Sequence, residues 1–515
     1  ESAYQKILNA SLAHPKKTYL IAVLSLLSAV VIFPFIGKSF MPTMDEGDVV
    51  LQIEKLPSIS LDNAIQLDLA VEKAILAKVP DVARIVARAG SDELGLDPMG
   101  LNESDTFLVL KPQAEWQAKN KEAILDEVRA VLNNVPGINF SFTQPIEMRT
   151  SEMLCGVRGD LAVKVYGTDL DKLNELSKEI ATVLQGIEGS EDVMTLENSG
   201  VQYQEVRIQR DMAMRNDLNS QSVQANLKTL IEGQQIGSII ERGKPIPLML
   251  KGDSSLGQST PDFSRLSLPV ENGVAVPLLA LAELVKTEGV VKIERENASR
   301  MSVVRSNVRD RDLVGFVDEA KQLVASKVKL PEGYYLKWGG QFENQQRAAA
   351  RLMLVIPAAL VLIFFILFTT LGSVRQSILV FVNIPFALVG GVIALALTGE
   401  YLSVPASVGF IALMGISVLN GLVLIGYFNQ LLARGMPIAE VVRHGAMRRL
   451  RPVLMTASIA ALGLLPLLFS TGPGSEIQRP LAIVVIGGLI TCTMLTLILV
   501  PNLFKQFGVQ EKSHG

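Results

Sequence analysis

One short stretch of the sequence carries several side chains that could bind a metal ion. The run IEMRTSEMLCGVRGD (146–160) contains, in order, Glu147, Met148, Glu152, Met153 and Cys155. Carboxylates supply the hard oxygen ligands that suit many divalent ions, whereas thioether and thiolate sulfur suits Cu(I). The two glutamates, Met153 and Cys155 are therefore candidate metal ligands. An alternative stays open, in which the two methionines fill a core or a hinge and the cysteine is a small buried residue.

A second group of polar residues lies inside long apolar segments. Asn420 sits in the middle of GISVLNGLV, and Thr456 and Ser458 follow Pro452 by about one helical turn. A polar residue at mid-membrane needs a partner and is a functional candidate, so all three are candidates for a proton path. Asn420 could equally form an interhelical hydrogen bond that fixes packing. The two hydroxyls could likewise bond back to their own helix.

Six apolar segments must position these residues. The chain of 515 residues is 49% hydrophobic, and this character is concentrated in a few runs rather than spread evenly. Runs of about 18 apolar residues or more can cross the hydrocarbon core as helices. They cover residues 19–37, 352–371, 377–397, 404–428, 452–470 and 481–503. The cores of the last five contain no ionisable side chain, so the sequence places the proton carrier elsewhere.

Basic residues orient the predicted spans. Short loops rich in Lys and Arg stay in the cytoplasm, and the loop 431–451 carries Arg434, Arg443, Arg448, Arg449 and Arg451. Alternation then puts the amino end, the 372–376 turn and the carboxyl tail on the same side. Residues 38–348 lie on the other side, which in a bacterial inner-membrane protein is the periplasm.

This orientation limits the ligands of any metal site in residues 38–348. The three histidines, His14, His444 and His514, all fall on the predicted cytoplasmic side. A periplasmic site must therefore use carboxylate, Met or Cys side chains. The acidic turn MDEGD (44–48) could attract cations, but it reads more simply as a solvated turn at the start of the insert.

The insert alternates between strand and helix patterns. Predicted strands and helices follow one another at 48–56, 61–79, 105–112, 116–135 and 138–146, at 161–167, 170–187 and 191–199, and at 299–309, 313–328 and 334–340. Residues 201–288 show a more mixed pattern. The sequence thus predicts an α-helical membrane bundle with a large α+β insert whose helices pack on one face of each sheet.

Composition argues against other classes of protein. A formal net charge of −3 gives no indication of a nucleic-acid partner. Cys155 and Cys492 lie far apart in very different surroundings, so no disulfide framework is expected. The sequence begins at Glu1 and shows no cleavable signal, which we interpret as a fragment or one product of a longer chain.

Several motifs resemble one transporter family. They are FMPTMDEGD (40–48), GQFENQQRAAARL (340–352), NIPFALVGG (383–391), LSVPASVGFIALMGISVLNG (402–421), RRLRPVLMTASIAALGLLPL (448–467) and TGPGSEIQRPLA (471–482). Over essentially its whole length the chain resembles the carboxy-terminal half of a resistance-nodulation-division (RND) efflux permease. More narrowly, it resembles the heavy-metal branch and its cobalt–zinc–cadmium (Czc) type.

The resemblance implies an inner-membrane homotrimer, with the amino-terminal half of the permease, a periplasmic membrane-fusion protein and an outer-membrane channel as partners. It implies porter subdomains that bind metal and a docking subdomain that contacts the channel. The implied boundaries are 1–37 for the amino-terminal segment and first span, 38–159 for one porter subdomain, 160–200 and 289–348 for the two parts of another, 201–288 for docking, and 349–515 for five spans and the tail.

The resemblance also implies a function, which is export of Zn, Co or Cd ions in exchange for protons, without a cofactor and without enzymatic activity. Asn420 would face the proton-relay helix of the other half, and Thr456 would lie near it. Copper- and silver-exporting relatives carry an acid where this chain has VLNG. Met153 resembles the position of a metal-binding methionine in the copper-exporting relatives. Leu218 and Val270 lie near the positions where further methionines would be expected. The resemblance therefore favours divalent ions over Cu(I).

Two alternatives stay open at this point. The first is a Cu(I)/Ag(I) efflux permease, supported by the two methionines and Cys155. The second is a non-transporting membrane scaffold or sensor, whose insert only binds. A drug exporter fits less well, because a drug pocket should be rich in aromatics and these make up only 6% of the chain.

Overall fold

The computed structural model describes residues 2–42, 44–91, 99–155, 159–195, 199–253, 263–269, 275–470, 472 and 474–508. It divides into two compact units. Glu1–Lys55, Leu61–Leu196 and Glu294–Gly515 form the first unit, and Leu56–Ser60 with Glu197–Ile293 form the second. The first unit contains the membrane helices and two α+β subdomains, and each unit is described separately below.

The described residues of the first unit contain the predicted membrane helices. These are α1 (Ser2–Ala13), α2 (Pro15–Ile32), α10 (Gln341–Leu371), α11 (Val374–Phe381), α12 (Asn383–Thr398), α13 (Val404–Ala433), α14 (Ile438–Phe469) and α15 (Ser475–Phe507). Helices α11 and α12 together make one span, and α1 is too short to make one. Six spans of sufficient length and apolar character result, as the sequence predicts.

Helix α15 lies at the centre of this bundle and packs against α12, α13 and α14. Close approach depends on glycine, since a Cβ added at Gly390 of α12 would lie 2.2 Å from the carbonyl oxygen of Gly487 on α15. Helices α2, α10 and α14 contact the rest of the bundle along one side only and expose most of their apolar surface. Such surface is stable only against lipid or further helices.

The first α+β subdomain is an antiparallel sheet of four strands in the order β2-β3-β1-β4. Its strands are β1 (Val49–Lys55), β2 (Val82–Ala89), β3 (Glu103–Leu110) and β4 (Ile138–Thr143). Helices α3 (Leu61–Lys78) and α4 (Lys121–Leu132) cover one face, where Leu51, Ile75 and Ile124 are fully buried. The sequence analysis missed β2, because this edge strand buries only Val82 and lacks a regular alternation.

The second α+β subdomain draws its strands from two distant segments of the chain. Strands β5 (Leu161–Tyr166) and β6 (Ser190–Thr195) precede the second unit, whereas β13 (Glu294–Glu296), β14 (Ser299–Val308) and β15 (Tyr335–Gly340) follow it. The order is β13-β14-β5-β15, and β6 also pairs with β14. Helices α6 (Leu170–Gln185) and α9 (Leu313–Lys327) cover the core, in which Phe316 is fully buried.

One helix was not expected. The sequence analysis predicted a strand over 138–146, but β4 ends at Thr143 and α5 (Pro145–Cys155) begins two residues later. Proline is well suited to the first turn of a helix, because its missing N–H would have no intrahelical partner there. The candidate metal ligands therefore lie along a helix.

The described residues of the second unit form three small antiparallel pairings. Strand β7 (Ser199–Ile208) pairs with β12 (Ala282–Val290), β8 (Gln234–Glu241) with β9 (Lys244–Leu250), and β10 (Ser267–Pro269) with β11 (Ala275–Pro277). Helices α7 (Arg210–Arg215) and α8 (Ser220–Ile231) complete a small apolar core. Every residue of the β8–β9 hairpin is exposed.

Candidate functional site

The acidic turn MDEGD holds the start of α5 in place. The Glu46 carboxylate accepts hydrogen bonds from the backbone N–H groups of Ile146 and Glu147, the latter at 2.8 Å. A carboxylate satisfies unpaired N–H groups at a helix start and complements the helix dipole. Asp45 pairs with Lys121 Nζ at 2.8 Å. The turn is exposed at Asp45 and Gly47, as expected of a solvated turn, and its Glu46 carboxylate also positions α5.

Two carboxyl groups meet at a cavity of about 160 Å³ between the two α+β subdomains of the first unit. Both Glu147 and Asp160 line it. Glu147 accepts a hydrogen bond from Gln341 Nε2 at 3.2 Å, and Asp160 accepts one from the backbone N–H of Val308 at 3.0 Å. These contacts draw α5, β14 and the start of α10 together at one point.

Burial makes both carboxyls hard to ionise, and repulsion adds to this effect at Glu147. The pKa of Glu147 is raised above its ordinary value by desolvation first and then by the negative charge of Asp160. Desolvation also raises the pKa of Asp160. Two adjacent carboxyls in such surroundings hold a proton or attract a cation, so this pair is the most chemically distinctive feature of the cavity.

The opposite wall of the cavity is an ion-pair network that joins the two subdomains. Arg309 of β14 contacts Asp126 of α4 at 2.9 Å and Glu191 of β6 at 3.0 Å. Arg129 of α4 contacts the same Glu191 at 2.9 Å. The Arg309 guanidinium, as the strongest influence, holds the pKa of Asp126 below its usual range. The network pairs Glu122, Glu191 and Asp192 with arginine, whereas among the described cations Lys121 acts on Glu147.

The structure separates the sequence-predicted ligands. Met148 is buried in the core, whereas Met153 is 85% exposed. Glu152 and Cys155 lie on α5, but their side chains fall outside the described part of the structure. Among the described residues, no group of three or more His, Cys, Asp or Glu side chains is arranged to hold a metal ion.

Other sequence-predicted features also have definite positions. Leu218, which the sequence analysis singled out, is buried in the core of the second unit, and Val270 lies outside the described residues. His14 and His444 are exposed at the end of the bundle where α2 begins, and His514 lies outside the described residues. Neither described histidine reaches the cavity.

Sequence reasoning missed Asp160, Gln341 and Arg309 as part of this site. Asp160 ends the quoted run 146–160, and its only sequence signal is the Gly-Asp pair that precedes β5. Gln341 and Arg309 are remote in sequence and meet the cavity only because β14 and α10 fold back onto it. No local pattern could have identified them.

The membrane bundle brings two of the three proton-path candidates together. Thr456 of α14 donates its hydroxyl to Asn420 Oδ1 of α13 at 3.4 Å and to its own helix at the Val453 carbonyl, 2.9 Å away. Asn420 is buried, and its Nδ2 has no partner within the described structure. Ser458 lies on the exposed face of α14, away from this pair. Both the packing and the proton-path readings of Asn420 fit this geometry.

A second buried amide, which sequence reasoning did not identify, lies beside Asn420. A Cβ added at Gly421 would approach Asn383 Nδ2 to 2.8 Å, so the Asn383 side chain rests directly against α13. Among the described atoms, Asn383 Nδ2 is also buried without a hydrogen-bond partner. The centre of the bundle thus contains buried hydrogen-bonding groups for which the described part of this chain provides no partner.

Comparison with known proteins agrees with this architecture. Residues 1–508 match the model of the AcrB/AcrD/AcrF family. The cobalt-zinc-cadmium resistance protein CzcA of Cupriavidus metallidurans (strain ATCC 43123 / DSM 2839 / NBRC 102507 / CH34) is 38% identical over 509 residues, 98% of this chain and 48% of that protein. The cation efflux system protein CusA of Escherichia coli (strain K12) is 30% identical over 515 residues, 98% and 49% respectively.

A solved structure is similar as well. The crystal structure of a heavy metal efflux pump in crystal form II has a TM-score of 0.85 and 34% identity, and the match covers 99% of this chain and 52% of that one. The chain spans about half the length of the curated relatives it matches. It belongs to the AcrB/AcrD/AcrF family of RND transporters, in the branch of the heavy-metal efflux permeases.

Proposed function

We propose that this chain forms half of a permease that exports divalent heavy-metal cations such as Zn²⁺, Co²⁺ or Cd²⁺ in exchange for protons. The observation that carries the proposal is the Glu147–Asp160 pair, two carboxyls that line one cavity and whose pKa values are both raised. The proposal also rests on similarity, because a relative named for cobalt, zinc and cadmium resistance is more similar than the cation efflux protein CusA.

The ligand chemistry of the cavity favours divalent ions over Cu(I). The described lining offers carboxylate oxygen and amide oxygen, and it includes no methionine or cysteine sulfur. Hard oxygen ligands suit divalent cations, whereas Cu(I) prefers sulfur. Two carboxylates are fewer ligands than a closed site needs, so Glu152, water and the remainder of the permease would supply the others.

Proton coupling would involve the Asn420–Thr456 contact. Neither residue can carry a proton as a charge, and the membrane cores of the last five spans contain no Asp, Glu, His, Lys or Arg. The acidic carrier would therefore come from the remainder of the permease. The unpartnered Asn383 and Asn420 amides would donate hydrogen bonds to such a carboxylate or to the water beside it.

The assembly would be a homotrimer in the bacterial inner membrane, with both α+β subdomains and the second unit in the periplasm. Its partners would be the other half of the permease, a membrane-fusion protein and an outer-membrane channel. The exposed β8–β9 hairpin, with Ile239, Ile240 and Ile246 open to solvent, supports a docking role for the second unit.

The test uses proteoliposomes that contain the complete permease carrying this sequence. A pH gradient is imposed, and the movement of Zn²⁺ and of Cu(I) is followed with ion-selective dyes. Proton-dependent Zn²⁺ movement without Cu(I) movement is the expected result. Movement of Cu(I) alone would instead assign Met153 and Cys155 as ligands, and movement of neither ion would favour a scaffold or sensor.

A further inference from the structure

One end of the membrane bundle carries a dense group of cations. It is the end where α2 and α14 begin and α10, α13 and α15 finish. Its described basic residues are Lys6, Lys16, Lys17, Arg375, Arg434, Arg443, Arg448, Arg449, Arg451 and Lys505, and its described acid is Glu440. The positive-inside rule explains a general excess of this kind, but it does not explain why some of these side chains are held in place.

Arg449 is held in place. Its guanidinium carbon lies 4.5 Å from the centre of the Tyr427 ring on α13, which is a cation–π geometry. The Arg449 side chain is half-buried, and its Nε is shielded from solvent without a hydrogen-bond partner in the described structure. An arginine stacked on an aromatic ring is pre-organised, so it loses little freedom when a ligand binds its free edge.

Neighbouring cations surround this position. Arg448 is exposed beside Arg449, and Arg451 lies less than one turn away on α14. Neither Arg448 nor Arg449 pairs with a carboxylate among the residues that the structure describes. Like charges at such spacing destabilise a helix, and a bound anion would remove that repulsion.

The depth of the cluster indicates which anion. The apolar run of α14 begins at Pro452, one residue after Arg451, so Arg448 and Arg449 lie where the helix leaves the hydrocarbon and meets the headgroups. Guanidinium binds phosphate through two parallel hydrogen bonds. Clusters of Lys and Arg next to a membrane helix attract anionic lipids.

We propose that Arg448 and Arg449, with Tyr427 as the platform for Arg449, form a binding site for the headgroup phosphate of an anionic phospholipid. The site would tie α13 and α14 to the anionic leaflet. Because these two helices also carry Asn420 and Thr456, the lipid would hold the pair at a constant separation. The inference rests on the contacts of Arg449 and is independent of the metal proposal.

The test measures lipid binding to the purified full chain by native mass spectrometry, with phosphatidylglycerol, phosphatidylcholine and inorganic phosphate as separate probes. Phosphatidylglycerol should bind, and phosphatidylcholine should bind at least tenfold more weakly. Each cation near an anionic lipid contributes a factor of about five, so the double variant R448Q/R449Q should bind phosphatidylglycerol roughly 30-fold more weakly.

The matched control is K16Q/K17Q, which removes two charges from the same end of the bundle. Because the attraction of a cation for the lipid falls off within a Debye length, this variant should change binding less than about threefold. Arg449→Lys keeps the charge but loses the planar stack, and it should bind with intermediate affinity. The proposal is wrong if both double variants lose binding equally, if Arg449→Lys binds as the parent does, if phosphatidylcholine binds as tightly, or if millimolar phosphate displaces the lipid. Far-UV circular dichroism confirms that the variants fold.

Discussion

Glu147 and Asp160 show how two ordinary acids acquire unusual chemistry through their position. Each carboxyl has a conventional hydrogen-bond donor, Gln341 for the first and the Val308 backbone for the second. Desolvation nevertheless raises the pKa of both, and for Glu147 the charge of Asp160 adds to the effect. A bound divalent cation would offset both the desolvation of these carboxylates and the repulsion that Glu147 experiences. This is the physical basis for proposing a metal site at this cavity.

The first prediction concerns pH. Because the folded-state pKa of Glu147 is raised above its unfolded value, the folded protein binds more protons, and its stability falls as pH rises from the ordinary carboxyl range through the raised pKa. Without metal, the melting temperature should therefore drop between pH 5 and pH 8. In Glu147→Gln the drop should be smaller by about 2–4 °C.

Differential scanning fluorimetry in the presence of a chelator measures this effect. Exposed Glu332→Gln is the matched control and should follow the parent at both pH values. If Glu147→Gln loses as much stability as the parent between pH 5 and pH 8, the pKa of the Glu147 carboxyl is not raised by folding.

The second prediction concerns metal. In the complete permease, Asp160→Asn keeps the shape of the side chain but removes one negative ligand, and loss of such a group typically weakens metal affinity by about 10–100-fold. The Zn²⁺ concentration for half-maximal transport should rise by that factor. Asp171→Asn, on the exposed side of α6, is the control. Unaltered Zn²⁺ dependence in Asp160→Asn would remove this residue from the site.

At the scale of elements, glycine decides how the bundle packs. Gly390 of α12 faces α15 so closely that an added Cβ would lie 2.2 Å from the Gly487 carbonyl oxygen, whereas a Cβ added at Gly415 of α13 would meet nothing within 4 Å. The same substitution is therefore expected to have opposite effects at two positions in the same bundle.

The third prediction follows from this contrast. Gly390→Ala should destabilise the bundle by about 1–3 kcal/mol through overpacking, whereas Gly415→Ala should be neutral or stabilising by a few tenths of a kcal/mol, since alanine favours helix. Unfolding in a detergent titration measures both. Equal stability of the two variants would contradict the α12–α15 contact.

The fourth prediction tests the α13–α14 contact. Asn420→Ala removes the more distant of the two acceptors of the Thr456 hydroxyl and one unpartnered amide. In the complete permease it should lower proton-driven Zn²⁺ transport by about tenfold or more while Zn²⁺ binding stays unchanged. Ser458→Ala, on the exposed face of the same helix α14, is the control. Loss of Zn²⁺ binding together with transport would instead indicate a packing role for Asn420.

At the scale of the whole molecule, the distribution of basic residues predicts the orientation of the spans in the membrane. The order of segments along the chain determines how the α+β subdomains are assembled. The second sheet takes strands from both sides of the second unit, so that unit is an insertion into the second α+β subdomain. Arg309 and Arg129 then join this subdomain to the first through Asp126 and Glu191. The cavity exists only because both subdomains are complete.

The fifth prediction concerns orientation. After Cys155 and Cys492 are replaced by serine, a single cysteine at Arg242 should react with a membrane-impermeant maleimide in spheroplasts, whereas one at Arg434 should react only after permeabilisation. The reason is the excess of cations at the end that contains Arg434. Labelling of both positions in spheroplasts would contradict the assigned topology.

The sequence by itself determined the six spans and most strands and helices. The length and periodicity of apolar runs are local properties, and they decide which side chains are removed from water. It also identified Asn420 and Thr456, since polar residues within apolar runs are conspicuous. Periodicity could not reveal the edge strand β2, which buries little, or helix α5, whose start depends on the distant Glu46 carboxylate.

Only the tertiary structure decided the composition of the candidate site. Glu147 of α5 and Asp160 just before β5 lie in one short run, and Gln341 of α10 and Val308 of β14 reach them only because those elements return after the second unit. The structure buried Met148 and exposed Met153, although both lie in the same short run. The types of side chain can be read from the sequence, and Asp160 lies in the same short run as Glu147, but the burial that raises the pKa of both carboxyls arises from contacts with distant segments.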